Sequence, residues 1–146
     1  MIFDRIAAAL GNCRAAAGDW LDRWYEELPW RARVALGRRG EQIAARYLRR
    51  RGWRVIGRNF AAAGAEIDLI ALDRAILVFV EVKTRINGET WTPAAAVDAR
   101  KRERIRRAAS VYLRRHRADN RPVRFDVIAI SGAGRARRIE LLKDSF

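Results

Sequence analysis

The sequence predicts an α/β domain in which a small mixed β-sheet is flanked by helices, with a helical extension at the N-terminus. Three observations indicate this class. Segments with helical and strand-like spacing of apolar residues follow one another in the order helix, three strands, helix, strand and a short final element. The fourth strand is apolar on both faces, as is typical of a strand covered by helices on either side. Half of the 146 residues are apolar, which suffices for one domain with a core of its own.

Residues 1–36 are expected to form the helical extension and residues 37–146 the main domain. The extension begins with an alanine-rich stretch that ends at Gly18. An amphipathic stretch rich in Trp follows at residues 20–28, before Pro29. Three roles are left open for the extension: docking on the domain, binding of a protein partner through residues 20–28, and contact with a membrane surface.

The main domain begins with a helix and three strands. The segment RRGEQIAARYLRRRG predicts a helix that starts near Gly37 and stops at Gly52. Strand-like segments follow at residues 53–60, 65–72 and 75–85. Asp73 and Arg74 are expected to form a tight turn, so the second and third strands should pair as an antiparallel hairpin.

A second helix and a further strand complete the predicted sheet. Thr92 as N-cap and Pro93 at the first helical position predict the helix start, and the apolar spacing continues to about His116. Residues 123–130 form the apolar fourth strand. The C-terminal segment RRIELLKDSF predicts a last short strand or turn.

The charge distribution favours nucleic acid as a partner. The formal charge is +14, and residues 1–36 contain five Arg and five acidic residues, so all of the excess lies in residues 37–146. A basic domain of this kind usually meets nucleic acid, with anionic membrane as the rival. Because 28 of the 31 basic residues are Arg, codon preference and solubility are simpler explanations for many of them.

Cysteine content and hydropathy point to a cytoplasmic protein. Cys13 is the single cysteine, so no internal disulfide can form and a reducing compartment is expected. No window approaches the roughly 18 consecutive apolar residues of a membrane span. Asp4 lies where a secretory signal would carry positive charge.

Charged residues interrupt the apolar third strand, LVFVEVKTR. Glu81 and Lys83 share one face of this strand, and Glu66 and Asp68 share a face of the preceding one. The hairpin would bring the three carboxylates together, and desolvating them costs several kcal/mol per ion unless a positive charge is present. Mg²⁺ suits one or two carboxylates beside phosphate oxygens. A cross-strand salt bridge from Lys83 is the structural alternative.

Lys83 would have a separate role beside such a cation. An ammonium there can orient water and offset the charge that develops on a phosphate during hydrolysis. Arg is a poor substitute because it is bulkier and does not give up a proton. Only three of the 31 basic residues are Lys, and one of them lies two positions after Glu81.

These residues resemble a known pattern. Asp68, followed thirteen positions later by Glu81-Val82-Lys83, resembles the PD-(D/E)XK nuclease superfamily, whose core is a helix, a three-stranded meander, a helix and a fourth strand. Residues 37–146 resemble more closely the YraN family, uncharacterised protein family 0102. The resemblance lies in GRRGEQIAARYLRRRGWRVIGRNF, EIDLIA, VFVEVKTR, AAVDARKRERIRRAASVYL and RFDVIAI. It implies a restriction-endonuclease-like core.

The resemblance also implies roles for individual residues. Asp68 and Glu81 would hold Mg²⁺ or Mn²⁺, with the Val82 carbonyl as a further ligand, and Lys83 would be the catalytic lysine. Glu41 matches an acid that related Holliday-junction resolvases use at the metal site, so it is included among both the catalytic and the metal-site residues. Glu66 matches the family's acid two positions before the aspartate, and it is included as a metal ligand.

The chain departs from the family pattern between the first two strands. The family usually has basic residues after the Asn at the position of Asn59, and a Gly directly before the Glu at the position of Glu66. Here Ala61, Ala63 and Ala65 stand in the corresponding stretch. These departures therefore affect the expected binding of substrate more than the expected binding of a metal ion.

The leading hypothesis is a Mg²⁺- or Mn²⁺-dependent endonuclease that cuts phosphodiesters of DNA, branched or damaged DNA included, by attack of a metal-activated water. Arg85, Lys101 and Arg104 are expected to contact DNA phosphates. One alternative is a nucleic-acid-binding module of the same fold without cleavage. Another is a membrane-peripheral or scaffold protein that uses the Trp-rich N-terminal helix. A homodimer is also left open.

Overall fold

The chain is described by a computed structural model over residues 30–85, 97–132 and 134–146. The predicted amphipathic stretch at residues 20–28 lies outside the described residues, as does Cys13. The elements, in chain order, are α1 (Trp30–Arg50), β1 (Arg54–Ala62), β2 (Ala65–Asp73), β3 (Ile76–Arg85), α2 (Ala99–Arg115), β4 (Val123–Ser131), a 3₁₀ turn (Gly134–Ala136) and β5 (Arg138–Leu142).

The five strands form one mixed sheet in the order β1-β2-β3-β4-β5. β1, β2 and β3 are an antiparallel meander. α2 then crosses over the sheet, so β4 runs parallel to β3, and β5 returns antiparallel to β4. This order confirms the predicted α/β class and the helix, meander, helix, strand core. The hairpin turn lies one residue later than predicted, because Asp73 pairs with Ile76 and leaves Arg74 and Ala75 as the turn.

α1 is longer than its predicted counterpart. It begins at Trp30, seven residues before Gly37, so it runs through the boundary drawn between residues 36 and 37. It ends as predicted, because Gly52 adopts a φ of 83°, a left-handed conformation in which glycine is not strained. Its buried face consists of small and branched apolar residues, with Ala44, Ala45 and Leu48 at 0% exposure.

The sheet separates two apolar cores. On one face, α1 and Trp53 cover alternate residues of the central strands, including Val78, Val80 and Ile128. On the other face, α2 covers Leu77 and Phe79, and the ring of Tyr112 meets that of Phe79 edge-on at 5.8 Å. β4 is buried continuously from residue 126 to 131, which confirms the prediction of a strand covered on both faces.

The start of α2 differs from the prediction. The helix begins at Ala99, and Asp98 is its N-cap, with a side chain that accepts a hydrogen bond from the Lys101 amide at 2.8 Å. The expected start at Thr92 and Pro93 was therefore wrong for this helix, and those two residues lie outside the described ones. The Asp98 cap fixes which residue of the first turn points at the sheet.

Ion pairs lock the turn end of the β2–β3 hairpin. Arg124 on β4 donates to Asp126 Oδ1 at 2.8 Å and to Asp73 Oδ2 at 3.0 Å. The fully buried Asp126 also accepts from the Asp144 amide at 2.9 Å, which ties the C-terminal tail to β4. Neither of the two helices in the described part of the chain is long and apolar enough to cross a membrane.

Candidate functional site

The site lies where β2 and β3 separate. Their antiparallel ladder runs from the turn to a last pair, Leu69 with Val80. Continuing this register would place Asp68 opposite Glu81, but the strands have parted there. The Val82 amide donates instead to the carboxylate Oδ2 of Asp68, at 2.7 Å. Asp68 therefore holds the backbone of β3 at the point where strand pairing stops.

Glu81 is the buried charge of this site. It lies on the α2 face of β3, as predicted from the alternation with Phe79, and is only 4% exposed. Lys83, two residues along the same face, places its Nζ 3.2 Å from Glu81 Oε1. The ammonium of Lys101 from α2 contacts the same oxygen. Glu81 Oε2 is buried and has no hydrogen-bond partner among the residues that the structure describes.

Lys101 lies in this site rather than on the outer surface of α2. The sequence predicts a phosphate contact for it, but its ammonium is directed at Glu81 from the first turn of the helix. Burial lowers the pKa of Lys101, but the attraction and hydrogen bond of Glu81, together with the attraction of Asp68, outweigh that effect. The pKa is therefore raised overall, and Lys101 is a cation at neutral pH.

Asp68 ionises with difficulty. Burial and then repulsion from Glu81 raise the pKa of Asp68 from its ordinary value of 3.8 to about 7. The hydrogen bond from the Val82 amide and the attraction of Lys101 act in the opposite direction, and Glu41 adds a further repulsion. The positive charge that the protein itself supplies is thus too small to offset the burial of Asp68 and its repulsion from Glu81.

A neutral side chain holds two more carboxylates nearby. Asn59 Nδ2 donates to Glu41 Oε2 on α1 and to Glu66 Oε1 on β2, both at 2.9 Å. Asn59 adopts a φ of 48°, a conformation that Asn tolerates better than most residues. It has no role in the sequence-based prediction. The available signal was an amide side chain within the β1 strand, just before the turn to β2.

The position of Glu41 depends on its neighbour Gly40. α1 passes so close to β3 that a side chain at Gly40 would collide with the Thr84 hydroxyl. This close approach brings Glu41, the next residue, to the end of β3 where the site opens. The predicted grouping of Glu41 with the strand acids is consistent with this packing.

A cavity of about 300 Å³ opens in front of the carboxylates. It is lined by residues of β2, the turn before it and α2, namely Gly64, Ala65, Glu66, Asp68, Lys101 and Arg104. The structure thus places two of the three residues predicted to bind DNA, Lys101 and Arg104, in the wall of the cavity that Glu66 and Asp68 also line. The third, Arg85, is the last residue of β3 and pairs with Ser131 in the ladder.

The donor set suits a divalent cation. Within residues 30–85, 97–132 and 134–146, no group of three His, Cys, Asp or Glu side chains is arranged around one point as ready-made ligands. Mg²⁺ does not require one, because it keeps several waters and takes one or two carboxylates. The partnerless, buried Glu81 Oε2 and the raised pKa of Asp68 mark a place that lacks positive charge.

The Val82 backbone carbonyl also faces this site. The N–H and C=O of one strand residue point to the same side of the strand. The Val82 N–H points toward Asp68, so the Val82 carbonyl faces the same opening between the strands. Asp68, Glu81 and this carbonyl therefore fit the metal-ligand roles that the sequence pattern implies.

Residues 40–130 match the family model described as Uncharacterised protein family UPF0102. The chain belongs to the UPF0102 family. This confirms the resemblance to the YraN family, which is the same family. The match begins at Gly40, next to Glu41, and spans all nine residues of the predicted site; residues 1–39 lie outside it.

Curated UPF0102 proteins align over most of their length. One from Symbiobacterium thermophilum is 45% identical over 112 residues, which cover 76% of this chain and 95% of the relative. One from Syntrophotalea carbinolica is 43% identical over 114 residues, covering 78% and 93%. One from Rhodococcus opacus is 46% identical over 114 residues, covering 77% and 97%. The alignments with this UPF0102 chain therefore cover nearly the full length of these relatives.

Proposed function

We propose that this UPF0102 chain is a Mg²⁺- or Mn²⁺-dependent endonuclease-like protein that acts on DNA in the cytoplasm. One observation carries the proposal: Glu81 is buried with a partnerless oxygen, where the strands part beside Asp68. Burial of an ionised carboxylate is costly unless positive charge compensates it, and the two lysines that contact Glu81 reach Oε1 and not Oε2. The basic domain around it is suited to a polyanionic substrate.

The carboxylates and lysine have distinct roles in this proposal. Asp68, Glu81 and the Val82 carbonyl would hold the cation, with Glu41 and Glu66 close by. A divalent cation bound there would neutralise the carboxylates and polarise a phosphate oxygen of the substrate. Lys83 is held by Glu81 at 3.2 Å, so its ammonium is positioned to offset negative charge that develops on the phosphate.

α2 would contact the DNA backbone. Between Ala99 and Arg115 it contains eight basic residues and one acid. Arg104 lines the cavity, and further arginines of the helix are exposed beyond it. Contacts of this kind bind phosphates without reading base sequence, so affinity should fall steeply with added salt. Arg85, at the end of β3, remains a predicted phosphate contact.

The second candidate function is DNA binding without cleavage. The contact of Lys101 with Glu81 favours it, because an internal ammonium partly supplies the compensation that a metal would give. The absence of basic residues at Ala61 and Ala63 also reduces the grip on substrate near the cavity. No observation within the described residues favours the third hypothesis, a membrane or scaffold role for the N-terminal helix.

Cleavage of DNA tests the proposal. Branched and linear DNA are incubated with Mn²⁺ and the wild-type protein, Asp68→Asn or Lys83→Ala. Lys143→Ala is the matched control, because Lys143 pairs with Asp73 at the opposite end of the hairpin. We expect cleavage by wild type and the control only. Binding without any cleavage would select the second candidate, and equal cleavage by all four proteins would refute the site.

A further inference from the structure

Lys101 occupies an unusual place for a basic residue of an arginine-rich helix. Its side chain is 33% exposed, whereas the Glu81 side chain that it contacts is 3% exposed. The Asp98 cap fixes the first turn of α2, and Asp98 Oδ1 accepts from the Lys101 amide itself. The backbone of Lys101 is thus anchored, and its side chain reaches from the cavity to a buried carboxylate.

The two lysines leave the carboxylate pair half compensated. Lys83 and Lys101 both contact Oε1 of Glu81, so Oε2 is left without a partner. The hydrogen bond that Asp68 accepts at 2.7 Å comes from a neutral group, the Val82 amide. A divalent cation held by Asp68 and Glu81 would compensate these carboxylates better than an ammonium does. Its charge would also repel an ammonium held in contact with Glu81.

We propose that Lys101 is the resident counter-cation of this site, which a divalent cation displaces from Glu81. The released ammonium then faces the cavity that Lys101 lines together with Arg104. There it is available to a phosphate of the substrate. This inference rests on the proposed function for the cation site and adds to it a positioning residue that couples cation binding to phosphate binding.

The expected consequence is opposite to that of losing a ligand. In the cation-free protein, removing the ammonium of Lys101 leaves Glu81 with Lys83 alone, so the protein should be less stable. The same change removes the competitor for Glu81, so Mn²⁺ should bind more tightly. A residue with a purely structural role would not tighten cation binding when it is replaced.

The test is calorimetric titration of Mn²⁺ into the full chain without DNA. Lys101→Met is compared with wild type and with Arg104→Met, which removes the same charge from the same cavity wall. We expect Lys101→Met to bind Mn²⁺ roughly tenfold more tightly than wild type. We expect Arg104→Met to change the affinity much less. Lys101→Gln, which keeps a polar end, should show the same direction if the methionine variant folds poorly.

An equal gain in Mn²⁺ affinity in Lys101→Met and Arg104→Met would overturn the inference, because the loss of any positive charge near the site would then explain the effect. Unchanged or weaker binding in both Lys101 variants, or no Mn²⁺ binding by any protein, would overturn it as well. A DNA substrate that is never cut would remove the proposed nuclease activity but leave the titration result standing.

A second titration tests the coupling. Mn²⁺ is titrated with and without a short DNA duplex, because coupling between two ligands is reciprocal. DNA should tighten Mn²⁺ binding to wild type more than to Lys101→Met, since only wild type has the Lys101 ammonium to transfer to the phosphate. The same DNA effect in both proteins would contradict the transfer of Lys101.

Discussion

Replacing Asp68 by Asn should stabilise the cation-free protein at neutral and alkaline pH. The change removes a charge that burial and Glu81 oppose, since they raise the pKa of Asp68 to about 7. It keeps the shape of the side chain and an oxygen that can still accept from the Val82 amide, which Asp68 binds at 2.7 Å. Asp68, a candidate functional residue, would thus reduce the stability of the cation-free protein.

The magnitude follows from the two ionisation equilibria of Asp68. The unfolded chain ionises near pH 3.8 and the folded chain near pH 7, so between these values the unfolded state binds fewer protons. Wild-type stability therefore declines over this range, by up to about 4 kcal/mol, and the loss is complete above pH 7. Asp68→Asn escapes this loss. Its gain should be somewhat smaller because the attraction between Asp68 and Lys101 is also removed.

Urea unfolding in the presence of EDTA measures the effect. The free energy of unfolding is compared for wild type and Asp68→Asn at pH 4, 6 and 8. We expect the difference to be small at pH 4 and to grow to a few kcal/mol at pH 8. Adding Mn²⁺ at pH 8 should stabilise wild type and leave the variant nearly unchanged. A variant that is less stable than wild type at pH 8, or a difference independent of pH, would refute the reasoning.

Three further changes test the surroundings of the site by urea unfolding. Asn59→Ala removes the hydrogen bonds to Glu41 and Glu66, so it should lower the free energy of unfolding by about 1 kcal/mol and reduce Mn²⁺ affinity. Unchanged affinity would show that these two carboxylates need no bridging side chain. Asp126→Asn removes the buried negative charge that pairs with the Arg124 guanidinium, and it should cost about 3 kcal/mol without altering Mn²⁺ affinity. A loss of affinity would contradict the separation of the two networks. Gly40→Ala should lower the free energy of unfolding by about 2 kcal/mol, because the added methyl group collides with Thr84. Adding Thr84→Ala to this variant should recover part of the loss. No recovery would show that the strain lies elsewhere.

The fold was largely predictable because its signals are local. Alternation of apolar residues predicts the strands, and the nearly continuous apolar character of residues 123–130 predicts a strand covered on both faces, which is β4. The first helix was confirmed at its end, where Gly52 adopts a left-handed conformation, but it starts seven residues earlier than expected. The start of α2 was misplaced because the Thr92-Pro93 signature is strong in sequence, whereas Asp98 supplies the cap.

The candidate site was predictable only in part. Periodicity is enough to place Glu81 and Lys83 on one face of β3 and Asp68 near them, because a hairpin has a fixed register. The contact of Lys101 with Glu81 depends on where α2 crosses the sheet, and no local pattern contains that distance. The role of Asn59 could not be predicted for a related reason. Its hydrogen-bond partners lie on α1 and β2, so these bonds form only once those elements pack together.

The central claim is that the carboxylates between β2 and β3 bind a divalent cation. Calorimetric titration of Mn²⁺ into wild type and Glu81→Gln tests it most directly. Glu103→Gln is the matched control, because the Glu103 side chain is 60% exposed on α2. We expect saturable binding by wild type and Glu103→Gln, and its loss in Glu81→Gln. Binding that Glu81→Gln retains in full, or that wild type never shows, would contradict the claim.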